Sequence, residues 1–321
     1  MSPRIAIVGA GGGVGSSVAF NLLLRDEAYD IDLVDGRSGM AASHEMDLQQ
    51  VVAAGASGSV SIVELGAIAA ADVVVISAAA PLTVNRSRQV YLHDNAAILT
   101  SVVGALGDVA AWPGVVVVVT NPVDALVTWL ARSYGFARTR VVGYTANDGL
   151  RLRTAVAHLL GVPSASVDAW VLGEHGDHCV PLLSRVYVDG APVELSAAQR
   201  EAAVDFVKSW YVRHVALDSG RSSTWTTGHG VARMVAALTG AAGLSELWSA
   251  AVPLEGEYGL RDVALGVPAR LGPGGLVGVE EWPLDGAERS ALVEAAEAIG
   301  AAADEIADAA RSSGASRGAP R

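Results

Sequence analysis

The chain has 321 residues, 51% hydrophobic and 17% charged, so it can bury a large core and is not typical of a disordered protein. Its formal net charge of −12 disfavours nucleic acid as a partner, because phosphate backbones attract Lys and Arg surfaces. The single cysteine, Cys179, excludes an intrachain disulfide and favours a reducing compartment. The glycine-rich N-terminus is unlike a signal peptide, and no apolar run approaches about 20 residues. We therefore predict a cytoplasmic protein without membrane contact.

Apolar runs of strand length alternate with helical stretches over the first 144 residues. Several runs are nearly continuous Val and Ile, which is typical of parallel strands buried on both faces. Strands are predicted over 5–9, 31–35, 60–64, 72–78, 115–121 and 140–143. Helices are predicted over 15–25, 40–53, 91–109 and 122–134. This alternation predicts an α/β nucleotide-binding domain over residues 1–144, built as a doubly wound parallel sheet.

The rhythm changes after residue 144, where longer helices are interrupted by scattered strands. Helices are predicted over 149–160, 196–217, 230–238 and 286–310. Strands are predicted over 167–172, 183–188, 250–254 and 264–271. We interpret residues 145–310 as a second domain of mixed α+β structure, and residues 311–321 as a disordered tail.

The first predicted strand runs into the sequence G-A-G-G-G-V-G, in which Gly9, Gly12 and Gly15 are spaced three apart. A tight turn there lets the backbone approach a pyrophosphate, and the start of the next helix offers unpaired N–H groups. Asp35 ends the second predicted strand, where its carboxylate can accept ribose hydroxyls and repel a 2′-phosphate. The pattern predicts a dinucleotide site that prefers NAD to NADP, although nearby Arg37 weakens this preference.

A second set of residues indicates acid–base chemistry. The segment V-L-G-E-H-G-D places His175 directly after a predicted strand, where its ring can project into a cleft. Asp148 and Arg151 are three apart on a predicted helix and share one face. A carboxylate against a histidine raises its pKa and fixes its tautomer. A guanidinium beside them can hold a substrate carboxylate through two parallel hydrogen bonds. We see no clean metal-ligand cluster and predict no metal.

Three motifs together resemble the lactate/malate dehydrogenase family: V-L-G-E-H-G-D, T-N-P-V-D at Thr120–Asp124, and N-D-x-x-R at 147–151. They occur in the family's order and spacing, and the resemblance runs from residue 5 to about residue 310. It implies a Rossmann domain followed by a catalytic domain, and an NAD-dependent enzyme that interconverts a 2-hydroxy acid and its 2-oxo acid. It implies His175 as the acid/base, Asp148 as its orienting carboxylate and Arg151 as the clamp on the C1 carboxylate.

The same resemblance implies further site residues. Arg88, counted back from Asn95, corresponds to the arginine that polarises the reacting carbonyl, and Asn121 to a residue that contacts substrate and nicotinamide. Ser223 and Thr224 fall where the family lines the floor of the pocket. The implied cofactor contacts are Gly9, Gly12, Gly13, Val14, Gly15, Asp35, Ala78, Asn95, Thr120 and Asn121. A homodimer or homotetramer is expected, with apolar faces at 40–53 and 230–238 as candidate contacts.

Substrate choice is where the sequence departs from the family. Leu82 occupies the position at which malate enzymes carry an arginine and many lactate enzymes a glutamine. A leucine cannot pair with a second carboxylate, so it favours an apolar 2-hydroxy acid. Arg86 in the same loop and the malate-type segment T-W-T-T-G-H-G-V-A-R-M keep malate and oxaloacetate open. Asn85 and His178 are further departures that bear on loop closure or the pocket.

Two other classes of protein are alternatives. NAD- and metal-dependent glycosidases share this architecture, but they need cysteine and histidine ligands to a divalent ion. The pairing of G-E-H-G-D with N-D-x-x-R argues against them. A catalytically silent NAD-binding protein is the other alternative, and the retention of Arg88, Asp148, Arg151 and His175 argues against it.

Overall fold

The computed structural model describes residues 2–80, 88–241 and 246–312. Six parallel strands form the first part of its main sheet, in the order β3-β2-β1-β4-β5-β6. They are β1 Arg4–Val8, β2 Tyr29–Val34, β3 Gly58–Ile62, β4 Val73–Ile76, β5 Val115–Val118 and β6 Val141–Tyr144. The order reverses between β1 and β4. In open parallel sheets ligands bind at such a switch point, outside the carboxyl ends of the strands.

Helices cover this part of the sheet, and its two faces contribute to separate cores. The helices are α1 Gly13–Leu23, α2 Ser38–Ala53, α3 Arg88–Leu106 and α4 Val123–Tyr134. Ile5 and Ile7 of β1 belong to one buried cluster, and Ala6 and Val8 to the other, as the two-residue period of a strand requires. Burial on both faces is why the central strands β4 and β5 are continuous Val and Ile, whereas the edge strand β3 is largely exposed.

The remaining strands extend the same sheet in antiparallel fashion, in the order β6-β12-β13-β8-β9, with β14 on β13. A small separate sheet has the order β11-β10-β7. These strands are β7 Val167–Asp168, β8 Val171–Gly173, β9 Cys179–Pro181, β10 Tyr187–Val188, β11 Ala191–Pro192, β12 Leu247–Glu255, β13 Arg261–Gly272 and β14 Gly275–Val279. The helices are α5 Asn147–Leu160, α6 Ala197–Ala216, α7 Thr224–Leu238 and α8 Gly286–Ser312, with short 3₁₀ turns at Leu65–Ala70, Arg138–Arg140, Ser164–Ser166 and Glu257–Gly259.

The prediction of an α/β fold with a doubly wound parallel sheet is confirmed. The division into domains at residue 144 stays a prediction, because β6 pairs with β12 and the sheet continues across that point. Residues 313–321, most of the predicted tail, lie outside the described residues.

Several element predictions in the second half are wrong. The strand predicted over 167–172 is divided between β7 and β8, which lie in different sheets. Most of the strand predicted over 183–188 is absent, since only Tyr187–Val188 pairs there. Helix α7 begins at Thr224 rather than at residue 230, and β14 was not predicted. A Cβ on Gly228 would overlap Ser17, and one on Gly230 would overlap Tyr144. These glycines therefore permit close packing and do not break the helix.

The two predicted contact faces differ in exposure. Met40 and Met46 on α2 are exposed, so that face remains available to a partner. The apolar side chains of Gly230–Leu238 are buried within the chain, so this segment is not available as a contact. None of the helices in the described part of the chain has the length and apolarity needed to cross a membrane.

Candidate active site

The glycine-rich turn between β1 and α1 places its backbone against the ends of neighbouring strands. Gly9 has a φ of +92°, and a Cβ there would overlap the backbone of Ala78. A Cβ on Gly15 would lie 2.8 Å from the Cα of Ala10. The N-cap of α1 is Gly12, so no side chain caps the first N–H groups of the helix. The turn therefore presents backbone donors and the positive end of a helix, a combination that suits a phosphate group.

Asp35 follows β2 and lies across from this turn. Its Oδ2 accepts the Gly11 N–H at 2.8 Å, and its Oδ1 accepts the backbone N–H of Arg37 at 2.9 Å and its Nε at 3.1 Å. Burial alone would raise the pKa of Asp35, but the bonds from Arg37 and Gly11 outweigh it and hold that pKa below its usual value. Asp35 is therefore ionised at neutral pH, the state that accepts ribose hydroxyls and repels a 2′-phosphate.

The turn and Asp35 face one cavity of about 970 Å³. Its lining includes Gly9, Gly12, Gly13, Val14, Asp35 and Ala78. The volume is at the upper end for ligand pockets, and a glycine wall opposite an ionised carboxylate matches a pyrophosphate joined to a ribose. The residues present therefore fit a dinucleotide.

Two buried side chains fix the strand ends beside this cavity. The amide of Asn95, which has no exposed surface, accepts the Ala80 N–H and donates to the Asn121 carbonyl oxygen, both at 2.7 Å. Thr120 Oγ1 lies 2.7 Å from the Ala78 carbonyl oxygen, to which it donates. Asn121 itself is exposed. Because Asn95 and Thr120 are buried, we infer that they fix the backbone around the cofactor cleft through these hydrogen bonds and do not themselves line its surface.

A cluster of charged side chains forms where α5 meets the loop after β8. His175 Nδ1 lies 2.6 Å from Asp148 Oδ2, and Arg151 donates to the other oxygen, Asp148 Oδ1, at 2.6 Å. The side chain of Asp148 is 8% exposed, against 17% for His175 and 14% for Arg151. Residues 27 positions apart along the chain are thus brought into direct contact. One buried carboxylate orders both a histidine and an arginine.

The electrostatics of this cluster favour a protonated histidine. Burial by itself lowers the pKa of His175, but the charge of Asp148 and its hydrogen bond, with a contribution from Asp124, raise it above the ordinary value. For the carboxyl of Asp148 burial acts in the opposite direction and raises the pKa. His175 and Arg151 outweigh this effect and hold the pKa of Asp148 below its ordinary value. The histidine can therefore carry a proton near neutral pH while Asp148 stays ionised.

Arg151 is also held from its other side. Its guanidinium lies over the ring of Trp210 on α6, 4.0 Å from the ring centroid, and the imidazole of His214 stacks on the same indole at 4.9 Å. Arg151 and Trp210 line a small cavity of about 130 Å³ together with Ser223. The neighbouring Thr224 lies instead beside Gly13 of the cofactor turn.

Comparison with known proteins identifies the family. Residues 3–143 match the lactate/malate dehydrogenase NAD binding domain, and residues 145–309 match the lactate/malate dehydrogenase alpha/beta C-terminal domain. The chain belongs to the lactate/malate dehydrogenase family. It is therefore an NAD-dependent oxidoreductase of 2-hydroxy acids. This confirms the resemblance, the cofactor and the enzyme class predicted from the sequence, and disfavours both alternative classes.

Relatives named for two different substrates are similarly close to this chain. A malate dehydrogenase of Halobacterium salinarum is 36% identical over 95% of this chain and 99% of the relative. An L-lactate dehydrogenase of Lactobacillus delbrueckii subsp. bulgaricus is 34% identical over 95% of this chain and 100% of the relative. Among solved structures, the malate dehydrogenase of Aeropyrum pernix has a TM-score of 0.83 at 28% identity, covering 94% of this chain and 97% of its own. Overall similarity thus leaves the substrate open.

Three predicted members of the dehydrogenase site fall between the end of β4 and the first turn of α3. Leu82 and Arg86 lie outside the described residues. Arg88 is the first residue of α3, but its side chain is outside the described part of the structure. Their predicted roles therefore rest on the sequence.

Two neighbours of His175 differ from it in their surroundings. His178 is exposed and its Nδ1 lies 2.8 Å from Glu174 Oε2, so the two histidines are ordered by different carboxylates. Cys179 is buried, and burial raises the pKa of its thiol to about 12. A thiol of this kind is not a nucleophile at neutral pH, so Cys179 contributes to packing.

Sequence reasoning missed two residues that contact this cluster, Asp124 and Trp210. Asp124 was noted only as part of a motif, yet its Oδ2 accepts the backbone N–H of His175 at 2.7 Å. Its local signal is that of an acidic residue in the first turn of a helix, which is common without any catalytic context. Trp210 lies four residues after Phe206 in a long helix, a spacing that indicates only an apolar face. Both contacts are non-local and leave no pattern in the sequence.

Proposed function

We propose that this enzyme reduces a 2-oxo acid to the 2-hydroxy acid, and reverses that reaction, with His175 as the proton-transferring residue. The observation that carries the proposal is the 2.6 Å contact between His175 Nδ1 and Asp148 Oδ2. Because Nδ1 is engaged by the carboxylate, Nε2 is the nitrogen that can give or take a proton. In the reducing direction the protonated ring donates to the developing alkoxide, and in the oxidising direction the neutral ring accepts the hydroxyl proton.

Asp148 acts on this reaction through both of its partners. Its charge stabilises the imidazolium and raises the pKa of His175, so the acid form persists to higher pH. Its second oxygen holds Arg151 in place at 2.6 Å. We assign Arg151 to the C1 carboxylate of the substrate, which a planar guanidinium can grip through two parallel hydrogen bonds. Ser223 shares a cavity with Arg151 and fits a place on the pocket wall.

The cofactor cleft is assigned to NAD. When bound, NAD accepts the substrate's hydride, and NADH returns it. The backbone N–H groups at the start of α1, from Gly13 to Gly15, are placed to bind the pyrophosphate, because no side chain caps this end of the helix. Asp35 is placed to bind the adenosine ribose. Asn121 is exposed near this cleft, and its backbone is held by Asn95, which suits contact with both the nicotinamide and the substrate.

The loop between β4 and α3 is assigned to the reacting carbonyl and to substrate choice. Arg88 polarises the carbonyl and stabilises its developing negative charge. With Arg88 and Arg151 both committed, Arg86 is the remaining arginine of that loop that can meet a second carboxylate. If Arg86 faces solvent, Leu82 makes the distal pocket apolar. We favour the apolar pocket, since an unpaired carboxylate beside leucine is costly.

A substrate series tests this assignment. We expect kcat/KM with NADH to be higher for pyruvate or 2-oxoisocaproate than for oxaloacetate, measured at the nicotinamide absorbance. Leu82→Arg should then raise the preference for oxaloacetate, because the new guanidinium pairs with the second carboxylate. An oxaloacetate preference that Arg86→Ala abolishes would instead place Arg86 in the pocket. An oxaloacetate preference that survives Arg86→Ala would show that this interpretation of the loop is wrong.

Assembly and location are proposed from the family and the surface. The exposed Met40 and Met46 on α2 support a homo-oligomer that buries this face. We propose a homodimer or homotetramer in the cytoplasm, with the substrate as a small-molecule partner. Sedimentation of the wild-type protein beside Met46→Glu tests the assembly, since a charge at a buried contact should favour monomers.

A further inference from the structure

A second carboxylate meets His175 from a different helix. Asp124 is the second residue of α4, its side chain is 1% exposed, and its Oδ2 accepts the His175 backbone N–H at 2.7 Å. Among the described residues, its Oδ1 has no hydrogen-bond partner. His175 is therefore flanked by two buried acids, with Asp148 at the ring and Asp124 at the backbone.

The charged groups around Asp124 and His175 come from three elements. Asp124 faces His175 and Glu174, which both lie on the loop after β8. The charge of the His175 ring is influenced by Asp148 and Arg151 on α5 and by Asp124 on α4. Burial raises the pKa of Asp124 to about 7, although the N–H and the charge of His175 oppose the rise. Asp124 can thus change its charge in the pH range in which the histidine works.

We propose that Asp124 is a positioning residue that sets the proton affinity of His175. As a carboxylate it fixes the backbone of the histidine and stabilises the imidazolium, and as a neutral acid it stabilises the imidazolium less. The proposal rests on the proposed role of His175. Because the charges of the two groups interact, their ionisation steps belong to the pair.

The two directions of the reaction should respond oppositely to a loss of this charge. Reduction needs the protonated ring and fails as the pH rises through the pKa of His175. Oxidation needs the neutral ring and begins over the same range. Asp124→Asn removes the negative charge but keeps an oxygen that can accept the N–H. The pH–rate profiles of both directions should therefore shift to lower pH, so that near neutrality reduction slows and oxidation accelerates. A purely structural defect would slow both directions at every pH.

Histidine NMR reads the titration without turnover. In protein labelled at the imidazole nitrogens, the His175 signal is the one lost in His175→Asn. We expect Asp124→Asn to lower the pKa read from that signal. Asp177→Asn is the matched control, because it removes the same charge from an exposed residue of the same loop, where water screens its effect. An unchanged His175 titration in Asp124→Asn, or an equal shift in Asp177→Asn, would overturn the proposal.

The wild-type protein gives a test that needs no variant. A coupled pair should give a His175 titration broader than the curve for one proton, whereas an isolated histidine gives the one-proton curve. The one-proton curve would overturn the proposal even if Asp124→Asn does not fold. A normal turnover of His175→Asn would instead overturn the proposed function, so the two failures can be told apart.

Discussion

The cofactor cleft of this dehydrogenase is formed mainly by backbone groups, whereas its acid–base cluster is formed by charged side chains. The cleft depends on main chain, since Gly9 and Gly15 have no room for a Cβ and Gly12 leaves a helix end uncapped. The cluster depends on side-chain charge, with Asp148 and Asp124 both buried against His175. The glycine turn of the first site is specified by residues close together in sequence, whereas the second site is specified by three segments that only the fold brings together.

This difference predicts how each site responds to substitution. Removing one charge from the cluster leaves its partner buried and uncompensated, which costs more than losing a surface contact. Removing one side chain from the cleft leaves the main-chain donors in place, so selectivity changes more than binding. Three substitutions test the contrast, beginning with the largest expected effect.

His175→Asn should reduce turnover by a factor of about 10² to 10⁴, the usual contribution of a positioned acid or base. NADH binding, followed by fluorescence titration, should remain close to the wild-type value, because His175 belongs to the cluster and not to the cleft. His178→Asn is the matched control, since that histidine is exposed and paired with a different carboxylate. Near-normal turnover of His175→Asn would remove the basis of the catalytic assignment.

The contrast also explains what the sequence could predict. The strands of the parallel sheet were found to within a few residues, most clearly β4 and β5, because burial on both faces leaves continuous runs of Val and Ile. The glycine turn was found because a tight turn requires glycine, and Asp35 because it ends the second strand after that turn. His175, Asp148 and Arg151 were assigned through family resemblance, since no local rule joins residues 27 positions apart.

Prediction failed where packing overrides local pattern. The helix predicted to start at residue 230 begins at Thr224, and its Gly228 and Gly230 lie where a Cβ would overlap Ser17 or Tyr144. The run at 183–188 reads as a single strand, but only its end pairs, through β10 with β7. Trp210 and Asp124 act through contacts with residues far along the chain, so their roles appear only in the folded structure.

Asp35→Ser should lower the preference for NADH over NADPH by about tenfold, the effect of one hydrogen bond to a charged group. The substitution removes the charge that repels a 2′-phosphate. It also frees Arg37, whose Nε lies 3.1 Å from Asp35 Oδ1 in the wild-type protein. The ratio of kcat/KM values for the two cofactors measures the change. Asp26→Ser removes the same charge at an exposed position and should leave that ratio unchanged. Equal use of NADPH by the wild-type enzyme would contradict the assignment of Asp35.

Trp210→Leu should give the smallest effect of the three, a rise in the KM of the 2-oxo acid of about three- to tenfold, with kcat nearly unchanged. The indole face lies 4.0 Å from the Arg151 guanidinium, and a cation–π contact of this kind contributes about 0.5–2 kcal/mol. Losing it frees the clamp to move, which weakens the grip on the substrate carboxylate but leaves His175 and Asp148 in contact. The KM for NADH should not change, because Trp210 is not among the residues lining the cofactor cavity.

Trp225→Leu is the matched control, because its exposed indole also lies beneath an arginine, Arg221, at 5.0 Å. Both variants lose a tryptophan and a cation–π contact, but Trp210 alone of the two touches the proposed substrate clamp. A rise in KM confined to Trp210→Leu would assign the effect to Arg151. A fall in kcat at constant KM would instead mean that Trp210 supports the pair of His175 and Asp148 rather than the substrate clamp Arg151.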